Sequence, residues 1–156
     1  MKLYALLDED LVLPRLKARD RAGVLREMSA TLEARHAPAL DGSLLDKLLK
    51  REELGTTAIG KGVAVPHCRA KGLKSPALLL GLSPDGVAFE AVDGKPSHVF
   101  FLLVSPEDNP GAGLRLLAAI AGLTRRSRSL ASRLLRAPST AGVLEALRAE
   151  EEKVRA

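Results

Sequence analysis

The chain has 156 residues, 46% hydrophobic and 28% charged, with a formal net charge of +5. That length suits one domain, residues 1–156, that buries a core unaided, and the single cysteine, Cys68, excludes an internal disulfide or a Cys-rich zinc module. With no Trp, one Tyr and three Phe there are few rings to stack bases, so Arg125, Arg126, Arg128, Arg133 and Arg136 read as a solvated basic face, or a rim for acidic partners or phosphate, ahead of a nucleic-acid surface.

Leu3 to Leu7 is a short apolar run cut off by Asp8, Glu9 and Asp10, which does not make a secretory leader. No apolar stretch reaches the length of a membrane span, so a cytoplasmic protein without membrane insertion is expected. Leu11 to Ala18 reads as a strand interrupted by Pro14, and therefore near a sheet edge. Asp20 is placed to cap a helix running to about Arg35, with Val24, Leu25, Met28 and Leu32 as its apolar stripe. The chain turns between His36 and Gly42. Ser43 then opens a second helix, with Leu44, Leu45, Leu48 and Leu49 on its buried side, ending before Gly55.

Thr56 to Pro66 reads as a glycine-punctuated loop (Gly60, Gly62) leading into a strand at Val63, Ala64 and Val65. Ala77 to Leu82 is a second strand of this group, Asp93-Gly94 marks a turn, and Val99 to Val104 is apolar enough to be buried on both faces. From Gly113 the period is helical through Leu114, Leu117, Ile120 and Ala121. Ser127 or Ser129 would cap a further helix through Leu135, Pro138 stops it, and Ser139 or Thr140 begins the last, through Val143, Leu144 and Leu147. The order is β-α-α-β-β-β-α-α-α. It describes an α/β domain of three layers, because a strand apolar on both sides needs cover on each.

Three histidines are available for chemistry. His36 ends a helix, where a cation suits the helix dipole, and His98 opens the buried strand as a hydrogen-bonded boundary residue. His67 follows Pro66, which fixes the backbone approach and presents an imidazole at a strand end, as a nucleophile requires. A lone histidine is as readily structural. Its neighbour Cys68 points to the opposite face of an extended chain and reads as a small buried hydrophobe, which argues against a Cys–His dyad. No second ligand stands at metal spacing from His67, and Gly60-Lys61-Gly62 is too short for a nucleotide phosphate loop, so neither metal nor cofactor is expected.

The stretch from Arg51 to His67 (REELGTTAIGKGVAVPH) closely resembles the signature of phosphotransferase-system IIA domains of the fructose/mannitol class. Phe89, Asp93-Gly94, Pro96, the run Val99 to Pro106 and the helix from Leu114 extend the resemblance over about residues 10–150. The resemblance implies a mixed sheet flanked by helices. It also implies phosphoryl relay, formally a transferase activity: His67 takes phosphate from the phosphohistidine of an HPr-type carrier, then passes it to a IIB domain or holds it as a regulatory signal. Imidazole suits that work, since its neutral ring nitrogen is nucleophilic near neutral pH.

On the same resemblance, Arg51 is the guanidinium that grips phosphate oxygens. Arg69, two residues beyond His67, shares its side of an extended chain, and Thr57 shapes the loop or donates to phosphate, as Thr56 would. Ser127 lies near where some members carry a hydroxyl, though a helix cap is the plainer reading. One departure stands out: where members commonly carry a second histidine that orients the acceptor or contacts the phosphate, this chain has Gly113. The leading expectation is a freestanding IIA protein most like the nitrogen-regulatory kind, a homo-oligomer being compatible with it. The alternative is a degenerate IIA domain that regulates by binding without efficient transfer.

Overall fold

The structure is a computed structural model that describes residues 2–155. Its core is a six-stranded mixed sheet in the order β1-β5-β6-β3-β2, with β4 also paired to β6. The strands are β1 (Val12–Leu13), β2 (Ala58–Gly60), β3 (Val63–Ala64), β4 (His67–Ala70), β5 (Ala77–Val87) and β6 (Ser97–Pro106). The helices are α1 (Arg21–Arg35), α2 (Leu44–Glu53), α3 (Pro110–Arg126), α4 (Leu130–Arg136) and α5 (Thr140–Arg155). β5 and β6 are antiparallel, whereas β3 and β4 run parallel to β6 on its other side.

β6 explains the layering. Its side chains alternate: Phe100, Leu102 and Val104 join α1 and α2 in one core, and Val99, Phe101 and Leu103 join α3, α4 and α5 in the other. With period two and both faces apolar, the strand is stable only under two helical layers. The expected α/β/α domain is the one observed.

The element order differs from the expected one by two strands: five, not three, lie between α2 and α3, because β2 and β4 are short segments that become strands only by pairing with β3 and β6. The other differences lie at element edges. β1 is two residues long rather than the full Leu11 to Ala18, and two 3-10 turns, Leu3–Leu6 and Glu9–Leu11, precede it. Pro14 has no N–H to extend the ladder. Beyond it, the Leu16 N–H still reaches the Leu82 carbonyl of β5 at 2.8 Å, and only then does the Glu27 carboxylate on α1 take the Lys17 and Ala18 N–H groups in place of the sheet. The loop before His67 forms a hairpin between β2 and β3, turning through Gly60, Lys61 and Gly62 at φ of 93, 56 and 78°. α3 starts at Pro110, three residues ahead of expectation, with proline at the first helical position, where a missing N–H costs nothing. His36 does cap α1, but burial and then the adjacent Arg35 charge push its pKa down, so the expected cation is a neutral ring near pH 7.

The last helix is tied down by two carboxylates. Glu151 accepts the Leu3 and Tyr4 N–H groups at 2.8 Å each. Glu150, 1% exposed, accepts from Ser127 (2.8 Å), Ser129 (3.0 Å) and Arg133 (2.8 Å). Burial opposes its ionisation, but these three donors together hold the carboxyl below its ordinary pKa. Glu150→Ala should cost about 2–3 kcal/mol in urea unfolding, because it strands three partly buried donors. Its stabilising effect is complete above the ordinary glutamate pKa and disappears as pH falls through the depressed value, so the gap between wild type and variant should close in acid.

Candidate functional site

β4 pairs only with β6 among the described residues, leaving an open sheet edge with α2 on one side and α3 on the other. A cavity of about 670 Å³ opens there, and His67, the first residue of β4, lies in its wall. The register His67↔Leu103 and Arg69↔Ser105 sends all four side chains to the α3 side of the sheet. Cys68 packs instead against the α1–α2 core, and burial pushes its thiol up to about 12. It is an unreactive thiol, which removes the dyad.

The ring of His67 is held by a series of contacts that starts on α2. The Glu52 carboxylate, 5% exposed, accepts the Thr57 backbone N–H at 3.1 Å and the Thr57 hydroxyl at 2.5 Å. The Thr57 carbonyl accepts the Val65 N–H at 2.9 Å, and His67 Nδ1–H donates to the Val65 carbonyl at 2.7 Å. A carbonyl oxygen can only accept, so Nδ1 carries the proton and the lone pair of the neutral ring sits on Nε2. Burial and then the Arg51 charge lower the His67 pKa, partly offset by the Val65 hydrogen bond and Glu52, leaving the ring below its ordinary value. The uncharged, nucleophilic form therefore predominates at neutral pH.

Arg51 lines the same cavity, its Nη1 donating to the Gly55 carbonyl at 2.9 Å, and none of the ion pairs among the described residues uses it. Arg69 lines it too. Lys47 and Lys50 join them, since positions 47, 50, 51 and 54 share one face of α2 at i, i+3, i+4 and i+7. Against these four cations stands one carboxylate, Glu53. The rim can hold an anion beside Nε2.

Thr57 and Ser127 are placed differently from expectation. Thr57 is buried with its hydroxyl committed to Glu52, so it positions the loop and does not face the cavity. Thr56 donates to the Phe89 carbonyl at 2.6 Å. Ser127 is buried against Glu150 at the far end of α3, about 21 Å from Gly113 at 1.5 Å per helical residue. Ser127 is the C-cap residue of α3, its N–H donating to the Leu123 carbonyl, while the N-cap of α4 is Ser129. With its hydroxyl on Glu150, Ser127 ties α3 to α5 and does not face the cavity. His98 donates from Nδ1 to the Ser83 carbonyl at 2.9 Å and sits five residues before Leu103 on β6, about 17 Å away at strand rise, so it is no partner for His67.

Sequence reasoning missed Glu52, Lys47, Lys50 and Ser105. The helical spacing of the lysines with Arg51 was a usable signal; nothing in the local sequence marks Ser105.

The fold and this edge define an α/β domain with an imidazole in the wall of a cavity rimmed by four cationic side chains. The chain matches the family described as "Phosphoenolpyruvate-dependent sugar phosphotransferase system, EIIA 2" over residues 5–150, and it belongs to that family. A nitrogen regulatory protein of Pseudomonas aeruginosa is 38% identical over 114 residues, covering 72% of this chain and 73% of that protein. A fructose-specific EIIABC component of Bacillus subtilis is 28% identical over 145 residues, 93% of this chain but 23% of that larger protein, so the chain spans about a quarter of it. Among solved structures, the nitrogen regulatory protein IIA-Ntr from Neisseria meningitidis superposes with a TM-score of 0.80 at 26% identity, covering 93% of this chain and 98% of that one.

Because burial keeps His67 neutral, the unfolded chain binds its proton at a higher pH than the folded one. The stability this confers is complete above about pH 6.5, the ordinary imidazole value, and declines as pH falls from there toward the depressed folded pKa. An NMR titration of the ring should give a midpoint below the ordinary value, and Arg51→Gln should raise it. A wild-type midpoint at or above the ordinary value contradicts the assignment.

Proposed function

We propose that this chain is a cytoplasmic phosphoryl carrier and regulator of the phosphoenolpyruvate-dependent phosphotransferase system, of the nitrogen-regulatory kind, with His67 Nε2 as acceptor. One observation carries the reading: Nδ1 is committed to the Val65 carbonyl, so the free nitrogen of a neutral ring is the one left to receive phosphate beside a cationic rim. The Nε2 lone pair attacks the phosphorus of a donor phosphohistidine. The donor N–P bond breaks, its electron pair returning to the donor ring, and the His67 ring keeps its Nδ1 proton on Val65. Arg51 and the α2 lysines counter the charge of the phosphoryl oxygens, which is most of what phosphoryl transfer asks of a protein.

The donor is an HPr-type carrier protein and the acceptor a IIB domain or a regulated target. Leu54 and Leu114, exposed by 84% and 63%, stand on the two lips of the cavity and offer the apolar contact a protein donor needs around the transfer site. The replacement of the family's second histidine by Gly113 favours a second reading, regulation by binding without efficient transfer.

Incubation with phosphoenolpyruvate, the first enzyme of the system, its carrier and labelled phosphate separates the two. The wild type should take one acid-labile label, His67→Ala none, and Arg51→Gln should slow labelling about tenfold or more, as expected for loss of a charge-assisted contact. An unlabelled wild type rules out the relay and supports the binding reading.

A further inference from the structure

Gly113 and Ser105 constrain one another. A Cβ at position 113 would lie 2.7 Å from Ser105 Cβ and 2.8 Å from Ser105 Oγ, closer than real atoms approach. The first turns of α3 can therefore close over the C-terminal end of β6 only with glycine at 113, and no side chain rises from that point to cover Ser105. A histidine there would require Ser105 to move.

Ser105 itself is 6% exposed, lines the same cavity as His67, and its hydroxyl has no side-chain hydrogen-bond partner among the described residues. Its Oγ is not among the fully buried atoms left without a partner, so the little of Ser105 that stays exposed includes the hydroxyl, open to the cavity. Its register partner across β4 is Arg69, which also lines the cavity, and strands lie about 4.8 Å apart. His67 is the diagonal neighbour on the same face. α3 adds a second contribution: Asn109 makes no side-chain capping bond, so the first turn of this 17-residue helix leaves its positive end uncapped, and Pro110 and Gly113 of that turn line the cavity.

We propose that the Ser105 hydroxyl, left open to the cavity by Gly113 and flanked by Arg69 and the first turn of α3, is a phosphate-binding group. In the relay it donates to an oxygen of the phosphoryl group carried by His67. This role within transfer rests on the function proposed above, whereas the anion subsite does not need transfer to exist. Ser105 accordingly does from the strand end what a side chain on α3 would otherwise do from above. Any replacement at 113 that carries a Cβ would disturb it.

Two measurements separate the subsite from the relay. Titration with inorganic phosphate, followed by amide NMR, should move the Ser105 and Gly113 resonances of the wild type. Ser105→Ala should weaken that binding about fivefold or more while leaving the rest of the spectrum in place. The second measurement is the phosphorus NMR spectrum of the enzymatically labelled protein, whose phosphohistidine resonance should shift in Ser105→Ala. Phosphate that moves neither residue, or that binds Ser105→Ala as tightly as wild type, overturns the subsite. A wild type that binds phosphate through Ser105 yet takes no label from the carrier leaves the subsite standing and removes the relay. A labelled protein whose phosphorus resonance and labelling rate ignore Ser105→Ala removes Ser105 from the relay.

Discussion

The contact on which the site depends is the hydrogen bond from His67 Nδ1 to the Val65 carbonyl, 2.7 Å long and only two residues back along the chain. Its direct worth is on the order of 1 kcal/mol, as for most protein hydrogen bonds. Its effect on the chemistry is larger, because it decides which nitrogen keeps a proton and which keeps a lone pair. The carbonyl that makes this choice is held in place by the preceding steps, Val65 on Thr57 and Thr57 on the buried Glu52. A carboxylate on α2 thus positions the imidazole without approaching the cavity opening. Arg51, its neighbour in sequence, faces the cavity.

The larger fold makes that arrangement useful. β6 is buried on both faces and rigidly placed, and β4 hangs on its outer side with its other edge open. An imidazole on an inner strand would be closed off from the cavity, and on a loop it would be loosely aimed. Here the strand aims the ring, and α2 and α3 supply the walls. The opposing influences on the ring settle in favour of neutrality. Burial and Arg51 favour the uncharged form, and together they outweigh the Val65 and Glu52 contacts that favour the cation.

Much of this was legible in the sequence. Asp20 caps α1 as read, its side chain accepting the Gly23 N–H at 2.7 Å, and the apolar run from Val99 forms the doubly buried strand because nothing polar interrupts its alternation. The acceptor candidate and Arg51 were visible in the motif that ends in Pro66-His67, and they meet at one cavity. Short elements were less legible. β2 and β4 hold only three and four residues, and their pairing with distant strands, not local propensity, makes them strands. The first turn of α3 (Pro110 to Gly113) has glycine and proline where the sequence suggests a loop, yet it is helical, with proline at the first helical position, where it is tolerated, and Gly113 close against Ser105. Ser127 entered only through the resemblance, with a helix cap as the plainer reading, and nothing nearby pointed to its partner, Glu150, which is 23 residues away in sequence. The tautomer and the Ser105 contact arise only from tertiary geometry, so no sequence pattern announces either.

The most direct test is to locate protons and phosphorus on the ring itself, by nitrogen-15 NMR of selectively labelled histidine before and after phosphorylation. The His67 ring should be neutral at pH 7 with its proton on Nδ1, and the phosphorylated protein should show nitrogen–phosphorus coupling at Nε2. A proton on Nε2, or phosphorus bonded to Nδ1, would mean that the Val65 carbonyl does not govern this ring and that Nε2 is not the nucleophile.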